Sequence, residues 1–403
     1  MEGLSTAESD VLAQIEGEAM FDQVQAWSTI NSGSHNRTGL AQVAQLLADV
    51  FSALPGKLTL EDAQKGEAVK ADGAIEPVEF GQNLHLVVRP DAPVQVLLTG
   101  HMDTVYGVDH PFQSLAWREP GVIGGPGVAD MKGGISVMLA ALRVIETAPY
   151  ASRLGYEVVI NSDEELGSPG SAELIAAAAR GKSAAFTYEP AILPDGTLAG
   201  ARPGSGNFSI RIVGRSAHAG RNPQDGRNAI VAVADLTLRL AALRDPGLNV
   251  NPARIDGGSA NNVVPDHAVL RINLRPGTPG DQESARAALD EIVAEVAQRH
   301  EVAITIHGGF GRPPKILDPA SLRLFELVRD CGLALDQKIS WRDSGGVCDG
   351  NNIAALGVPV VDTMGVRGGA IHSPDEYLIV DSLAERARLS ALALIRIASG
   401  DHM

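Results

Sequence analysis

An α/β fold carrying a smaller inserted α+β unit is what this sequence predicts, on three observations. Through roughly the first 200 residues, short apolar runs of strand length alternate with amphipathic or Ala-rich helical stretches. The rhythm changes at the RPGSG cluster, Arg202 to Gly206. After FGRPPK, Phe310 to Lys315, the first pattern resumes.

From Gly17 to Ser52 the apolar positions Phe21, Val24, Trp27, Leu40, Val43, Leu46 and Leu47 recur at helical spacing, giving two helices split by NSGSHNRTG. Asn83 to Val88 and Val94 to Leu98 are buried-strand runs. A helix follows Gly133-Gly134, then a strand over Tyr156 to Asn161, then a helix over SAELIAAAARG. Strand and helix in alternation mean helices packed on a sheet. The second rhythm reads as strand Asn207 to Val213, helix Arg227 to Leu243, strands Val250 to Asp256 and Val263 to Leu274, helix Asp281 to Arg299, and strand Val302 to His307. That order is β-α-β-β-α-β, the ferredoxin-like unit, with FGRPPK as the return linker. A buried strand at Val358 to Thr363 and a closing helix from Ser382 complete the first domain. The expected division is 1–202 plus 315–403 for one domain and 203–314 for the inserted one.

Composition removes several classes of function. The 403 residues carry 33 Lys and Arg against 49 Asp and Glu, a net charge of −16, which offers no basic face to a nucleic acid. No apolar stretch approaches the roughly 20 residues of a membrane span. The amino terminus has acids where a secretory signal needs positive charge, so a cytoplasmic location is expected unless an export signal has been trimmed. Cys331 and Cys348 are too few for a disulfide framework, and no CxxC exists. GxSxG, HExxH and GxxxxGK[ST] are missing too, which removes serine-hydrolase, single-zinc helical protease and P-loop chemistry.

What remains is a set of acids and histidines at strand ends. His101 and Asp103 follow a buried strand in LLTGHMDTV, where open α/β sheets put ligand sites. Two apart on extended chain they share a face, so Asp103 can hydrogen-bond the far nitrogen of a metal-bound His101. A polar pair in a surface turn is the plain alternative. Asp130, in GGPGVADMKGG, stands before a helix start, where a dipole-favoured acid is ordinary. Asp163, Glu164 and Glu165 end another buried strand, so they need cations or must fan into water. Glu189 in AFTYEPA and His372 in GGAIHSPDE complete the set.

Singly each residue has a bland reading; together they do not. These nitrogen and oxygen donors, converging on one sheet edge, are what two borderline divalent cations take, with zinc first and cobalt or manganese as alternatives. Two cations bring about four positive charges, balanced by Asp130, Glu165, Glu189 and a bridging hydroxide. Glu164 is left over, and an unliganded carboxylate beside a metal-bound water is what takes that water's proton.

GHMDTV, GPGVADMKGG, DEELGSPGS, YEP, GRSAHAG and IHSPDE, in this order between about Leu97 and Glu376, resemble the dizinc co-catalytic metallopeptidases. That family includes glutamate carboxypeptidase, aminoacylase, acetylornithine deacetylase, succinyl-diaminopimelate desuccinylase and the tri- and dipeptidases. DMKGG and the Glu pair look like the glutamate carboxypeptidase branch. The resemblance implies a zinc-peptidase-like α/β/α sandwich with an inserted lid and dimerisation domain, acting as a metal-dependent, carboxypeptidase-like hydrolase that cleaves an amide or peptide bond next to a residue with a free carboxylate, in a small peptide or N-acyl amino acid. A deacylase, a dipeptidase, or a catalytically inactive binding protein on this scaffold are the alternatives. It implies that His101 and Glu189 hold one zinc, Glu165 and His372 the other, and Asp130 bridges them. Glu164 becomes general base and then acid, with Asp103 in support. His218, in GRSAHAG, becomes an oxyanion-stabilising residue reaching the neighbouring subunit of a homodimer. Asn261 and Arg275 lie where related enzymes grip substrate, with Arg312 as a second candidate clamp on a free carboxylate. Gly345, in SGGVCDGNN, is expected to line the pocket with backbone N–H groups, and Cys348 to be a packed small side chain.

Overall fold

The computed structural model describes residues 3–400. Its centre is a six-stranded sheet in the order Lys57–Glu61, Asn83–Val88, Leu154–Asn161, Val94–His101, Ala184–Thr187, Val360–Val361. The last four strands run parallel, and the first two pair antiparallel at one edge. Alternation along the strands divides their side chains between two layers. Val96, Leu98, Val158, Ile160 and Phe186 pack in one core with helices Gly134–Ile145 and Ser382–Ser399. Leu97, Val159 and Ala185 pack on the other face with helices Ala172–Ala179 and Asp349–Ala355. Both faces are therefore covered, and the carboxyl ends of the parallel strands are the open edge.

The strand expected over Val94 to Leu98 runs on to His101, because Gly100 and His101 keep parallel register with Ile160 and Asn161. His101 is thus the strand's last residue, held by the sheet itself. The strand expected at Val358 to Thr363 joins the sheet at Val360 and Val361, with Thr363 in an isolated bridge to Tyr188. A helix at Thr6–Leu12, the hairpin Gly66–Val69 with Ile75–Val78, and a small sheet of Gly368–Gly369, Tyr377–Ile379, Val122–Gly124 and Ala116–Glu119 were not foreshadowed by periodicity. These strands are too short or too exposed to show it.

The second sheet has the order Leu248–Gly257, His267–Pro276, Ser205–Val213, Ala303–Arg312, with every neighbour antiparallel. With helices Ala229–Ala241 and Pro279–His300 it forms the expected β-α-β-β-α-β arrangement around its own core, drawn from Phe208 to Val302. The last strand extends five residues beyond the expected His307, so Arg312 ends a strand instead of lying in a linker. Where the chain crosses between the sheets, Arg202 and Lys315 exchange backbone hydrogen bonds of 2.9 and 3.0 Å. Both side chains then meet the buried Asp362, Arg202 through two bonds of 2.8 and 3.1 Å and Lys315 at 2.7 Å. Removing the aspartate would leave two buried cations unpaired, so the crossing is fixed electrostatically as well as by hydrogen bonding. Among the described residues no helix is long and apolar enough to cross a membrane.

Candidate metal centre

His101, at the end of its strand, is 1% exposed along its side chain and directs its two ring nitrogens at different groups. Nδ1 lies 3.0 Å from the backbone oxygen of Asp103, a carbonyl that can only accept, so Nδ1 carries a proton. The expected partner was the Asp103 carboxylate, whose nearer oxygen is 3.4 Å away. That carboxylate is occupied elsewhere. It accepts from the amides of Glu164 and Glu165, both at 3.2 Å, and from the Ser34 hydroxyl at 2.7 Å. Asp103 therefore fixes the loop that bears both glutamates.

Nε2 of His101 faces Oδ1 of Asp130 at 3.0 Å and Oε1 of Glu189 at 3.8 Å. The other oxygen of Asp130, Oδ2, lies 3.2 Å from Nε2 of His372, which is also 3.2 Å from Oε2 of Glu165. One carboxylate thus stands between two histidines, each with a further glutamate beside it. Donor atoms of His101, Asp130 and Glu165 fall within 4.8 Å of one another, as do those of His101, Glu164 and Glu189.

The electrostatics of this cluster call for cations. A neutral imidazole protonated at Nδ1 presents a bare lone pair at Nε2, and opposite it is another acceptor, Asp130. Only a second proton or a metal ion between them resolves the contact. Accordingly His101 is raised well above its ordinary value against its burial, through Asp103, Asp130 and Glu189. Burial, aided by the charge of Asp130, pushes Glu189 up to about 7 and raises Glu165. These are acids asked to share a dry site with another anion. The donor set is nitrogen and oxygen, matching a divalent cation such as zinc.

Glu164 is half-buried, its side chain 11% exposed, and its Oε1 accepts from Arg312 at 2.8 Å. Burial raises its carboxyl well above the usual range, with Glu189 and Asp349 adding to this and Arg312 opposing it. Arg312 itself is committed: it also bonds Asp349, Asn352 at 2.9 Å and Ser168 at 2.9 Å. Its guanidinium does not stand free in the cleft as a clamp for substrate. Asp163, third of the acid run, turns inward to the hydroxyl of Ser171 at 2.6 Å instead of fanning into water.

Of the remaining candidates, Arg275 and Gly345 are brought together, Nη1 donating to the glycine carbonyl at 3.0 Å. Asn261 is exposed in the turn before Val263. His218 is exposed too, and its Nδ1 accepts from the amides of Gly220 and Arg221 at 3.1 and 3.2 Å. Among the described residues no hydrogen bond or ion pair links it to the cluster. Cys348 is a buried free thiol raised well above its ordinary value by burial, unsuited to nucleophilic attack.

A mixed α/β sheet with histidines and carboxylates gathered at the carboxyl edge of its parallel strands defines a metal-dependent hydrolase. The chain belongs to peptidase family M20/M25/M40, whose model matches residues 97–396. It is 28% identical to carboxypeptidase G2 of Pseudomonas sp. (strain RS-16) over 400 residues, covering 96% of this chain and 91% of that protein. A Staphylococcus aureus tripeptidase superposes with a TM-score of 0.72 at 22% identity, covering 96% of this chain and 99% of the other. A dinuclear metal-binding peptidase of family M20 from Bacillus subtilis superposes with a TM-score of 0.67 at 14% identity, covering 96% and 99%. At these identities the two structures establish the shared fold.

Proposed function

We propose that this protein is a two-metal hydrolase that cleaves an amide or peptide bond beside a residue bearing a free carboxylate, in the manner of a carboxypeptidase. The observation that carries this reading is the single Asp130 carboxylate set between His101 and His372, with Glu164 alongside. Family membership supports it, as does the likeness to carboxypeptidase G2.

His101, Asp130 and Glu189 would hold one ion, and His372, Asp130 and Glu165 the other. Two divalent cations there, zinc by first choice, supply Lewis acidity at the scissile carbonyl and lower the pKa of a water toward about 7. Glu164 takes the proton of the attacking water and returns it to the leaving nitrogen, a task for which a carboxyl raised by burial is suited. Asp103 keeps both glutamates in place through their amides. Arg275, Asn261 and the Gly345 backbone are the groups left to meet the substrate carboxylate, Arg312 being engaged with Glu164.

Metal analysis of the purified protein joined to a hydrolysis screen tests this. Two metal ions per chain are expected, with turnover of N-acyl-glutamate and C-terminal peptides. Amidating the free carboxylate should cost about 10²-fold in kcat/KM. Equal rates on the amidated substrate would sink the carboxypeptidase-like reading. Faster turnover of N-acetyl amino acids or dipeptides would favour the deacylase or dipeptidase alternatives.

Residues 203–314 would act as the lid and dimerisation unit. In support, Val231 and Leu238 on helix Ala229–Ala241 are 52% and 73% exposed, and the neighbouring edge strand Leu248–Gly257 presents Ile255 at 47%. An apolar helix face beside an unpaired strand edge suits a second copy about a two-fold axis. His218 would then complete the partner's site by stabilising the oxyanion. Leu238→Arg is expected to give a monomer on gel filtration with kcat lowered about 10²–10³-fold, and His218→Ala to lower it similarly within the dimer. A fully active monomer would overturn the cross-subunit role.

A further inference from the structure

The cluster's side chains come from separate loops, so something must hold one loop against another. On the His101 side the sheet does this, since His101 is paired with Asn161 and its Nδ1 is pinned by the Asp103 carbonyl. On the other side the central sheet does not reach, and the small sheet, which pairs Tyr377 with Gly124, flanks the loop. His372 stands on a loop at φ +60°, with its side chain 52% exposed.

A buried carboxylate four residues further on adds a side-chain restraint beside that pairing. Glu376 is 1% exposed, and its two oxygens receive four donors. Oε1 accepts from the amides of Ala129 and Asp130, at 3.0 and 3.1 Å. Oε2 accepts from the amide of Gly127 at 3.3 Å and from the Tyr106 hydroxyl at 3.0 Å. All three amides belong to the turn that presents Asp130. Gly127 can aim its amide this way because it sits at φ +72°, where a Cβ would also lie 2.8 Å from Thr104 Cγ2. The same Tyr106 O–H also faces the Ser373 carbonyl, next to His372, at 2.8 Å, so its one proton is shared between that carbonyl and Glu376 Oε2.

We propose that Glu376 is a positioning residue for the two-metal site: it clasps the Asp130 turn to the His372 loop and so sets the separation at which these two residues share the second cation. It has no oxygen to spare for the metal itself. The inference rests on the two-metal reading above. Groups that orient ligands in this way are typically worth 10–100-fold in metal affinity.

Glu376→Gln keeps the shape but turns an NH2 toward one pair of donors, so two of the four contacts are lost. The test strips the full-length protein of metal and titrates it with Zn2+ against a chromophoric chelator, repeating with Co2+ followed by visible absorption. The wild type should bind two equivalents tightly. In Glu376→Gln the first equivalent should bind as in the wild type and the second about 10–100-fold more weakly, with the metal-free melting temperature kept within a few degrees. Tyr106→Phe, which removes a single donor, should weaken the same equivalent to a smaller extent. Two equivalents bound with wild-type affinity in both variants would overturn the clasp alone. Equal weakening of both equivalents, or collapse of the metal-free melting transition with Tyr106→Phe unaffected, would overturn it in favour of a general structural role. A wild type that binds fewer than two equivalents would overturn the two-metal reading and the clasp with it.

Discussion

Glu164→Gln is expected to lower kcat by about 10²–10⁴-fold while both metal ions remain bound and KM changes little. The substitution preserves volume and an oxygen for the Arg312 contact, which is 2.8 Å long in the structure. What it removes is the capacity to take up and release a proton. Burial already biases this carboxyl toward the protonated form, with Glu189 and Asp349 reinforcing and Arg312 resisting. A carboxyl biased in that direction can hold a proton between the attack of water and departure of the amine. An acid fixed low in its pKa could accept no proton near neutral pH, and one fixed very high would never release it. Arg312, itself paired with Asp349, contacts this carboxyl directly, and Asp103 holds the backbone that bears it. The measurement is steady-state kinetics paired with metal analysis on the same preparation. Unchanged turnover with metal retained would remove Glu164 from the proton-transfer step.

The candidate site was readable in the sequence to the extent that strand ends were. A buried apolar run that stops at a polar residue announces the edge of a parallel sheet, and His101, Glu164, Glu165 and Glu189 all follow such runs. Neighbouring strands at one edge then bring together residues distant in the chain. The groups that hold those side chains were not readable, for two physical reasons. Backbone amides have no letter of their own, so neither the grip of Asp103 on Glu164 and Glu165 nor that of Glu376 on the Asp130 turn leaves a periodic trace. Small polar residues in buried networks look like loop residues. Asn161, Ser168 and Asp349 lie in such a network, with Asn161 and Ser168 both bonding Asp349 at 2.9 and 2.6 Å. Asp163 illustrates the cost of local reasoning: an acid in a run of acids belongs in water unless Ser171 and the Gly170 amide are waiting for it, and they are contributed by the following loop. Arg312 was legible as a cation near the site, but its placement at a strand end decided that Glu164 and Asp349 would use it. The inserted unit was more legible than the crossing that joins it, because helix and strand periods report faces, whereas the Arg202–Asp362–Lys315 contact joins Asp362 to residues 160 and 47 positions away.

Removing the metal ions should abolish hydrolysis and also invert the pH dependence of stability between about pH 5 and 8. In the loaded protein the ligands must be deprotonated to bind, so metal affinity, and the stabilisation it brings, rises with pH. An ion present at 100 times its dissociation constant contributes roughly 2.7 kcal/mol. Without metal the cluster must be held together by protons. Glu189, raised by burial and by Asp130 from 4.5 to about 7, makes the folded chain bind more protons than the unfolded one across that interval. Stability from this group therefore falls as pH rises through it. His372 is raised from 6.5 to about 11 by its hydrogen bonds to Asp130 and Glu165, so its contribution is complete below 6.5 and is lost as pH climbs toward 11. The two windows join, and their slopes have the same sign. Asp130 acts in the opposite sense: burial is outweighed by hydrogen bonds from both histidines and its carboxyl is held well below the usual range. Its contribution is lost only in acid below its ordinary value of 3.8, outside the interval. Melting curves at several pH values with and without a chelator should thus diverge, the chelated protein losing melting temperature as pH rises and the loaded protein holding or gaining it. Parallel curves would show that His101, Asp130, Glu165, Glu189 and His372 do not share the metal ions, and the two-metal assignment would fall.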